Sequence, residues 1–224
     1  MNTHFTVTPK FATKMLEKAL RLYTPSLSER PMAEFLADKC DDLGFEDIQI
    51  DEVGNIIAKK GSGSPKIMLC GHMDVVPGKV KVRKEGDSLY GRGASDAKAP
   101  LMAMLFAAAS IEKNQGTVTF VGAVDEEGNA VGIKNIVKKK MDIDYAVFGE
   151  PSGIKQVTIA YKGRLGFPAK GRIPIRQHRD VRHHTHAPSE VAHLKIVHAL
   201  RVFPRKQHRK ERHDEQNDPR NLPK

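Results

Sequence analysis

Apolar residues recur at helical spacing from Pro9 to Leu22 (Phe11, Met15, Leu16, Ala19, Leu22), which predicts an amphipathic helix. After a turn at Tyr23–Ser28, Ser28 is placed to cap a second helix that runs to Asp42 and is closed by Gly44. The period then switches. DIQIDEV (47–53) and NIIAKKG (55–61) alternate around Gly54 and predict two strands. GSGSP (61–65) is a flexible turn and not a phosphate loop, because no helix follows it. KIMLCGH (66–72) is short and almost continuously apolar, the pattern of a strand buried on both faces.

KVKVRKEGDSLYGRG (79–93) alternates about a Gly-Asp turn and predicts a hairpin near a sheet edge. APLMAMLFAAASI (99–111) is apolar nearly all round, yet too short to span a bilayer, and predicts a helix buried between sheet and neighbours. TVTFVGAV (117–124), YAVFG (145–149) and QVTIAYKG (156–163) read as strands, with a short helix at GIKNIVKKK (132–140). Strands alternating with helices define an α/β protein, a mostly parallel sheet flanked by helices. Functional groups are then expected at the carboxyl ends of the strands.

The net charge of +10 suggests nucleic-acid binding only until it is divided. Residues 1–167 hold 23 Lys/Arg against 21 Asp/Glu, whereas residues 168–224 hold 14 against 6, with eight of the ten histidines. The charge belongs to the tail and not to the part that carries the motifs. Cys40 and Cys70 fall in a helix and a core strand, and read as small core hydrophobes rather than a disulfide. The first residues lack the charged and apolar segments of a signal peptide. The expectation is a soluble chain in a reducing, cytoplasmic setting.

The candidate chemistry lies at strand ends. His72 and Asp74 are two apart in GHMDVVPG (71–78), so both project the same way. A metal-bound imidazole needs its other N–H held by an acceptor, a role that suits Asp74, although a strand-end His also simply caps turns. Asp96 sits in a Gly-punctuated loop before the buried helix, where a carboxylate bridges metals or caps the helix. The Gly91-Arg92-Gly93 pair is not a dinucleotide fingerprint. Glu126 and Glu127 are adjacent at the end of an apolar strand, where they repel unless a cation intervenes. With a metal present, one ligates and the other takes a proton from water; without one they form a solvated acidic loop. Glu150 follows YAVFG and precedes Pro151, either as a ligand or as an ordinary strand exit. Four ligand-type positions in order, each leaving a strand at the same edge, argue against coincidence.

Taken together, GRGASDAKAPLMAML, VDEEGNAVGIKN and FGEPSGIKQVTIAYKGRLGF resemble the co-catalytic zinc amidohydrolases and exopeptidases. That family includes acetylornithine deacetylase, succinyl-diaminopimelate desuccinylase and the glutamate carboxypeptidases. Within it, these strings look most like the [LysW]-lysine/[LysW]-ornithine hydrolases of lysine and arginine biosynthesis. The resemblance covers roughly residues 5–167. It implies two Zn²⁺ ions per intact subunit, with Co²⁺ as an alternative. His72 and Glu150 are implied as ligands of one, Asp96 as the bridge, Glu127 as a ligand of the second, Glu126 as general base and acid, and Asp74 as the group orienting His72. The implied substrate is an amide joining an acidic amino-group carrier protein, LysW, to lysine or ornithine, or else a small acylated amino acid. Lys98, Lys155, Lys162 and Arg164 are candidate contacts to the carrier.

Family members pass from a string like YKGRLGF into a lid and dimerisation domain, then return with a last histidine ligand for the second zinc. Beyond Phe167 this chain does neither in recognisable form. The expectation is an incomplete zinc exopeptidase-like catalytic domain over 1–167, followed by an irregular basic tail over 168–224 that reads like a frameshift. Within the tail, Pro188–Phe203 predicts a weakly amphipathic helix, and His183, His184 and His186 resemble a histidine tag. A nucleic-acid-binding tail is the weaker alternative, because no aromatic residues interleave the charges. The second metal site is expected to be incomplete and hydrolase activity low; dimerisation is a property of intact relatives.

Overall fold

The computed structural model describes residues 7–112, 114–151, 153 and 158, and the backbone of 191–193. Helix α1 (Pro9–Arg21) starts where the Thr8 hydroxyl accepts from the Phe11 N–H and Pro9 occupies the first turn. It buries Ala12, Met15, Leu16, Ala19 and Leu20 along one stripe. Helix α2 (Arg30–Asp42) ends in a Schellman motif, with Phe45 N–H donating to Cys40 and Gly44 N–H to Asp41. Gly44 adopts φ +71°, the left-handed conformation this closure requires. The start of α2 departs from the expectation. Its N-cap is Glu29 rather than Ser28, and no side chain caps it. The Glu29 carboxylate is turned inward to other backbone groups, described below.

Strands β1 (Glu46–Ile50), β2 (Ile56–Ser62), β3 (Lys66–His72), β6 (Gly116–Ala123) and β7 (Tyr145–Phe148) form one sheet in the order β1-β2-β6-β3-β7. The parallel part is β6-β3-β7; β1 and β2 extend it antiparallel, so the sheet is mixed. Helix α3 (Lys98–Ala109) connects β3 to β6, and α4 (Val131–Lys138) connects β6 to β7. One face of the sheet presents Ile56, Ala58, Leu69, Val118 and Phe120 to α1, α2 and α3. The other presents Ile57, Met68, Cys70, Val121 and Ala123 to Ile136 of α4. This two-sided covering is why β3 and β6 carry continuous apolar runs. Ring pairs Phe11–Phe106 (5.8 Å) and Phe45–Phe120 (6.4 Å) join the helices to the core.

Strands β4 (Arg83–Glu85) and β5 (Ser88–Tyr90) form the expected hairpin around Gly86-Asp87. Its second edge is taken by β8 (Val191–His193), paired antiparallel with β5. Those three residues lie in the stretch 188–203 expected to be helical. They are a strand instead, because an open strand edge offers unpaired backbone groups that extended chain can satisfy. The rest of that stretch, the strand expected at 156–163, His183, His184 and His186 fall outside the described residues, apart from Thr158. Cys40 and Cys70 are both free and buried. No helix among the described residues is long and apolar enough to cross a membrane.

Candidate metal centre

The three parallel strands end at one edge. His72 of β3 is in register with Ala123 of β6, and Cys70 with Phe148 of β7. Pairing continues one step further, with Met73 N–H donating to Ala123 and Gly149 N–H to Cys70 (both 2.8 Å). The residues that leave these strands therefore gather in one place: His72 and Asp74 from β3, Glu126 and Glu127 from β6, and Glu150 from β7. Asp96 joins them from the loop before α3.

His72 is buried at the centre of this group. Its Nε2 lies 3.1 Å from Asp96 Oδ1 and 3.9 Å from Glu126 Oε2, while Nδ1 lies 3.0 Å from the Asp74 carbonyl and 3.3 Å from Asp74 Oδ1. Burial alone would push the imidazole down. Hydrogen bonds with Asp74 and Asp96, and the charges of Glu150 and Glu126, reverse this and lift it to about 11. Glu127 is pushed up by partial burial and by the neighbouring charge of Asp96. A cluster of carboxylates that pushes Glu127 up and lifts a buried imidazole is a site with a deficit of positive charge. That is the electrostatic condition a divalent cation satisfies.

Two trios have suitable donors: His72, Asp96 and Glu150, and His72, Glu126 and Glu127, the ligand atoms of each lying within 4.8 Å of one another. The fit to a metal is therefore good in residue type and spacing. All six predicted site residues are brought to this edge. The helix-capping alternative for Asp96 does not apply, since the N-cap of α3 is Ala97 and no side chain caps it. The Asp96 side chain is half-exposed, with Oδ1 turned to His72 Nε2.

Asp74 is fully buried and does more than the spacing suggested. Its carboxylate accepts from the Ser26 hydroxyl (2.7 Å) and from the backbone N–H groups of Glu126 (3.1 Å) and Glu127 (3.0 Å). Burial pushes the Asp74 acid up, but hydrogen bonds from His72, Ser26 and Glu127 outweigh it and hold the group at about 2. One carboxylate thus fixes both the imidazole and the acidic loop. Ser26 gave no signal in the sequence, because a lone Ser in a turn carries none.

Lys98 must be reassigned. It was a candidate carrier contact, but it is entirely buried and its ammonium donates to the carbonyls of Ala19 and Leu22 at the end of α1. Desolvation lowers it to about 8. The cation satisfies a helix C-terminus and has no face toward a partner. Lys155, Lys162 and Arg164 lie outside the described residues.

A buried imidazole, a carboxylate at its back and acidic groups converging from three strand ends define a candidate metal centre at the carboxyl edge of an α/β sheet. Comparison with known proteins gives the family. The profile of peptidase family M20/M25/M40 matches residues 68–219, and the chain belongs to that family. The matched stretch continues past Phe167, where the composition changes.

A putative [LysW]-lysine/[LysW]-ornithine hydrolase of Pyrococcus abyssi is 44% identical over 152 residues, 68% of this chain and 43% of that protein. The chain therefore spans less than half the length of this relative. Among solved structures, aminopeptidase PepT of Bacillus cereus has a similar fold (TM-score 0.59, 21% identity, 68% of this chain and 46% of that one). So does an M20 family metallo-carboxypeptidase of Sulfolobus solfataricus (TM-score 0.50, 23% identity, 62% and 37%).

Proposed function

We propose that this chain carries the metal centre of an amidohydrolase that releases lysine or ornithine from an amino-group carrier protein. The observation that carries the reading is the convergence of His72, Asp96, Glu126, Glu127 and Glu150 at the carboxyl ends of three adjacent strands. The carrier-linked substrate is supported by the likeness to the Pyrococcus abyssi protein. In this reading His72, Asp96 and Glu150 would hold one Zn²⁺, and Asp96 and Glu127 would serve a second. Co²⁺ is the expected substitute. Bound zinc supplies Lewis-acid polarisation of an amide carbonyl and makes water acidic near neutrality. Glu126 takes a proton from the attacking water and passes it to the leaving amine. Asp74, at the other ring nitrogen, fixes the orientation of His72.

Both trios share one imidazole. Nδ1 of His72 is committed to Asp74, so Nε2 serves a single ion, and a second ion would have carboxylates alone among the described residues. We therefore expect about one tightly held ion per chain and slow turnover, with residues 1–167 carrying the centre and 168–224 adding none of its ligands. Equilibrium dialysis against Zn²⁺, followed by assay on a carrier-linked lysine amide and on N-acetylornithine, tests this. Absence of zinc uptake, or uptake unaffected by His72→Ala, sinks the metal centre. Rapid turnover of acetylornithine with none of the carrier conjugate moves the substrate to the small acylated amino acids.

A further inference from the structure

The acidic loop that leaves β6 has an unusual means of support. Strand pairing ends at Ala123, and the next four backbone N–H groups each donate to a side chain from elsewhere in the chain. Val124 N–H donates to Asn55 Oδ1 (3.0 Å) and Asp125 N–H to Glu29 Oε1 (2.9 Å). Glu126 and Glu127 N–H donate to the two oxygens of Asp74. Asn55, Glu29 and Asp74 are all buried, and they come from the β1–β2 turn, the cap of α2 and the end of β3.

Asn55 also holds the far end of the loop. Its Nδ2 donates to the Gly132 carbonyl (3.1 Å) and to Asp51 Oδ2 (3.0 Å). Gly132 N–H in turn donates to the Val124 carbonyl (3.2 Å). The approach is close enough that a Cβ on Gly132 would lie 2.4 Å from Asn55 Oδ1, so only glycine fits there. Asp51 fixes the amide's orientation by accepting from the N–H groups of Val53, Gly54 and Asn55 as well. Glu29 ties the loop to the segment bearing Ser26, because the same Oε1 accepts from Leu27 N–H (3.0 Å).

We propose that Glu29 and Asn55 are positioning residues for the carboxylates of Glu126 and Glu127: buried acceptors, touching neither metal nor substrate, that fix the backbone from which both glutamates project. This rests on the metal-centre reading above. A loop held at four successive amides presents its side chains in one arrangement, whereas a loop freed at its first two would sample several and bind a cation less tightly.

The test uses the full chain and Co²⁺, whose visible ligand-field spectrum reports coordination. The parent, Glu29→Gln, Glu29→Ala and Asn55→Ser are titrated with Co²⁺, with far-UV circular dichroism to confirm folding. Glutamine keeps the acceptor oxygen and is expected to stay within about threefold of the parent. Alanine, and serine at 55, are expected to weaken Co²⁺ by about 10–100-fold and alter the spectrum, the usual size for an outer-shell loss. Asn135→Ala, which removes amide bonds to Asp51 and Glu52 on the outer side, is expected to lower thermal stability with Co²⁺ binding unchanged. Parent-like affinity and spectrum in folded Glu29→Ala or Asn55→Ser overturn the proposal. If neither folds, a tenfold loss in folded Glu29→Gln overturns it, and parent-like binding there upholds the acceptor role. A parent that takes up no Co²⁺ overturns the metal-centre reading, and this inference with it.

Discussion

Replacing Asp74 with asparagine is the sharpest perturbation of the centre, because the structure shows what each oxygen does. Oδ1 accepts from Glu126 N–H and faces the His72 ring; Oδ2 accepts from Ser26 and Glu127 N–H. An amide presents one oxygen and one NH₂. Whichever way it turns, one backbone N–H meets a donor in place of an acceptor. A hydrogen bond to a charged group contributes about 1.5–3 kcal/mol, so this loss costs about 2 kcal/mol. The surviving bonds fall from charged to neutral strength, roughly 1 kcal/mol further, and burying a neutral amide in place of a carboxylate offsets part of it. A net loss of about 2–3 kcal/mol is expected in the metal-free chain. With a urea slope of about 2 kcal/mol per molar, the unfolding midpoint drops by roughly 1–1.5 M, read by far-UV circular dichroism. Co²⁺ binding weakens in parallel. Glu150→Gln serves as the contrast, since thinning a crowd of carboxylates leaves the midpoint unchanged or raised while still weakening Co²⁺. An Asp74→Asn midpoint unchanged from the parent's would show that the three donors do not depend on this carboxylate.

Other outcomes are expected from the same structure. Phe120 lies on the inner face of β6, fully buried against Phe45, so Phe120→Ala should cost about 3–5 kcal/mol, seen as a large fall in melting temperature. Burial pushes the Cys40 and Cys70 thiols up to about 12, with the charge of Glu150 adding to the effect at Cys70. Both should resist iodoacetamide at pH 8 in the native chain and react once it is denatured, with intact mass as the readout. Beyond the Phe167 codon, translation of the coding DNA in the other two frames should give lid-domain sequence and a later histidine. Lid-like sequence in neither frame would mark residues 168–224 as a genuine tail.

The periodic elements were legible because their signal is local. The stripe of α1, the Schellman glycine of α2, the apolar runs of β3 and β6 and the all-round apolar α3 each encode their own burial over a few residues. The six site residues were legible for a related reason: each directly follows or precedes such an element, so the α/β order predicts a shared edge. What lay beyond reach was everything that depends on partners distant in the chain. The antiparallel pairing of β2 with β6 joins segments some 60 residues apart, which an alternating pattern does not specify. Ser28 has the chemistry of a helix cap, yet the position went to Glu29, whose carboxylate is needed by Asp125 N–H, 96 residues away. Lys98 read as a candidate carrier contact, yet it is buried because the end of α1 brings the carbonyls of Ala19 and Leu22 to it. Sequence alone picked out the candidate residues and placed all but Asp96, which precedes α3, at or just after the end of a strand. Only the tertiary structure decided which backbone amides those strand ends leave unpaired, and which buried oxygens from other elements must come to meet them.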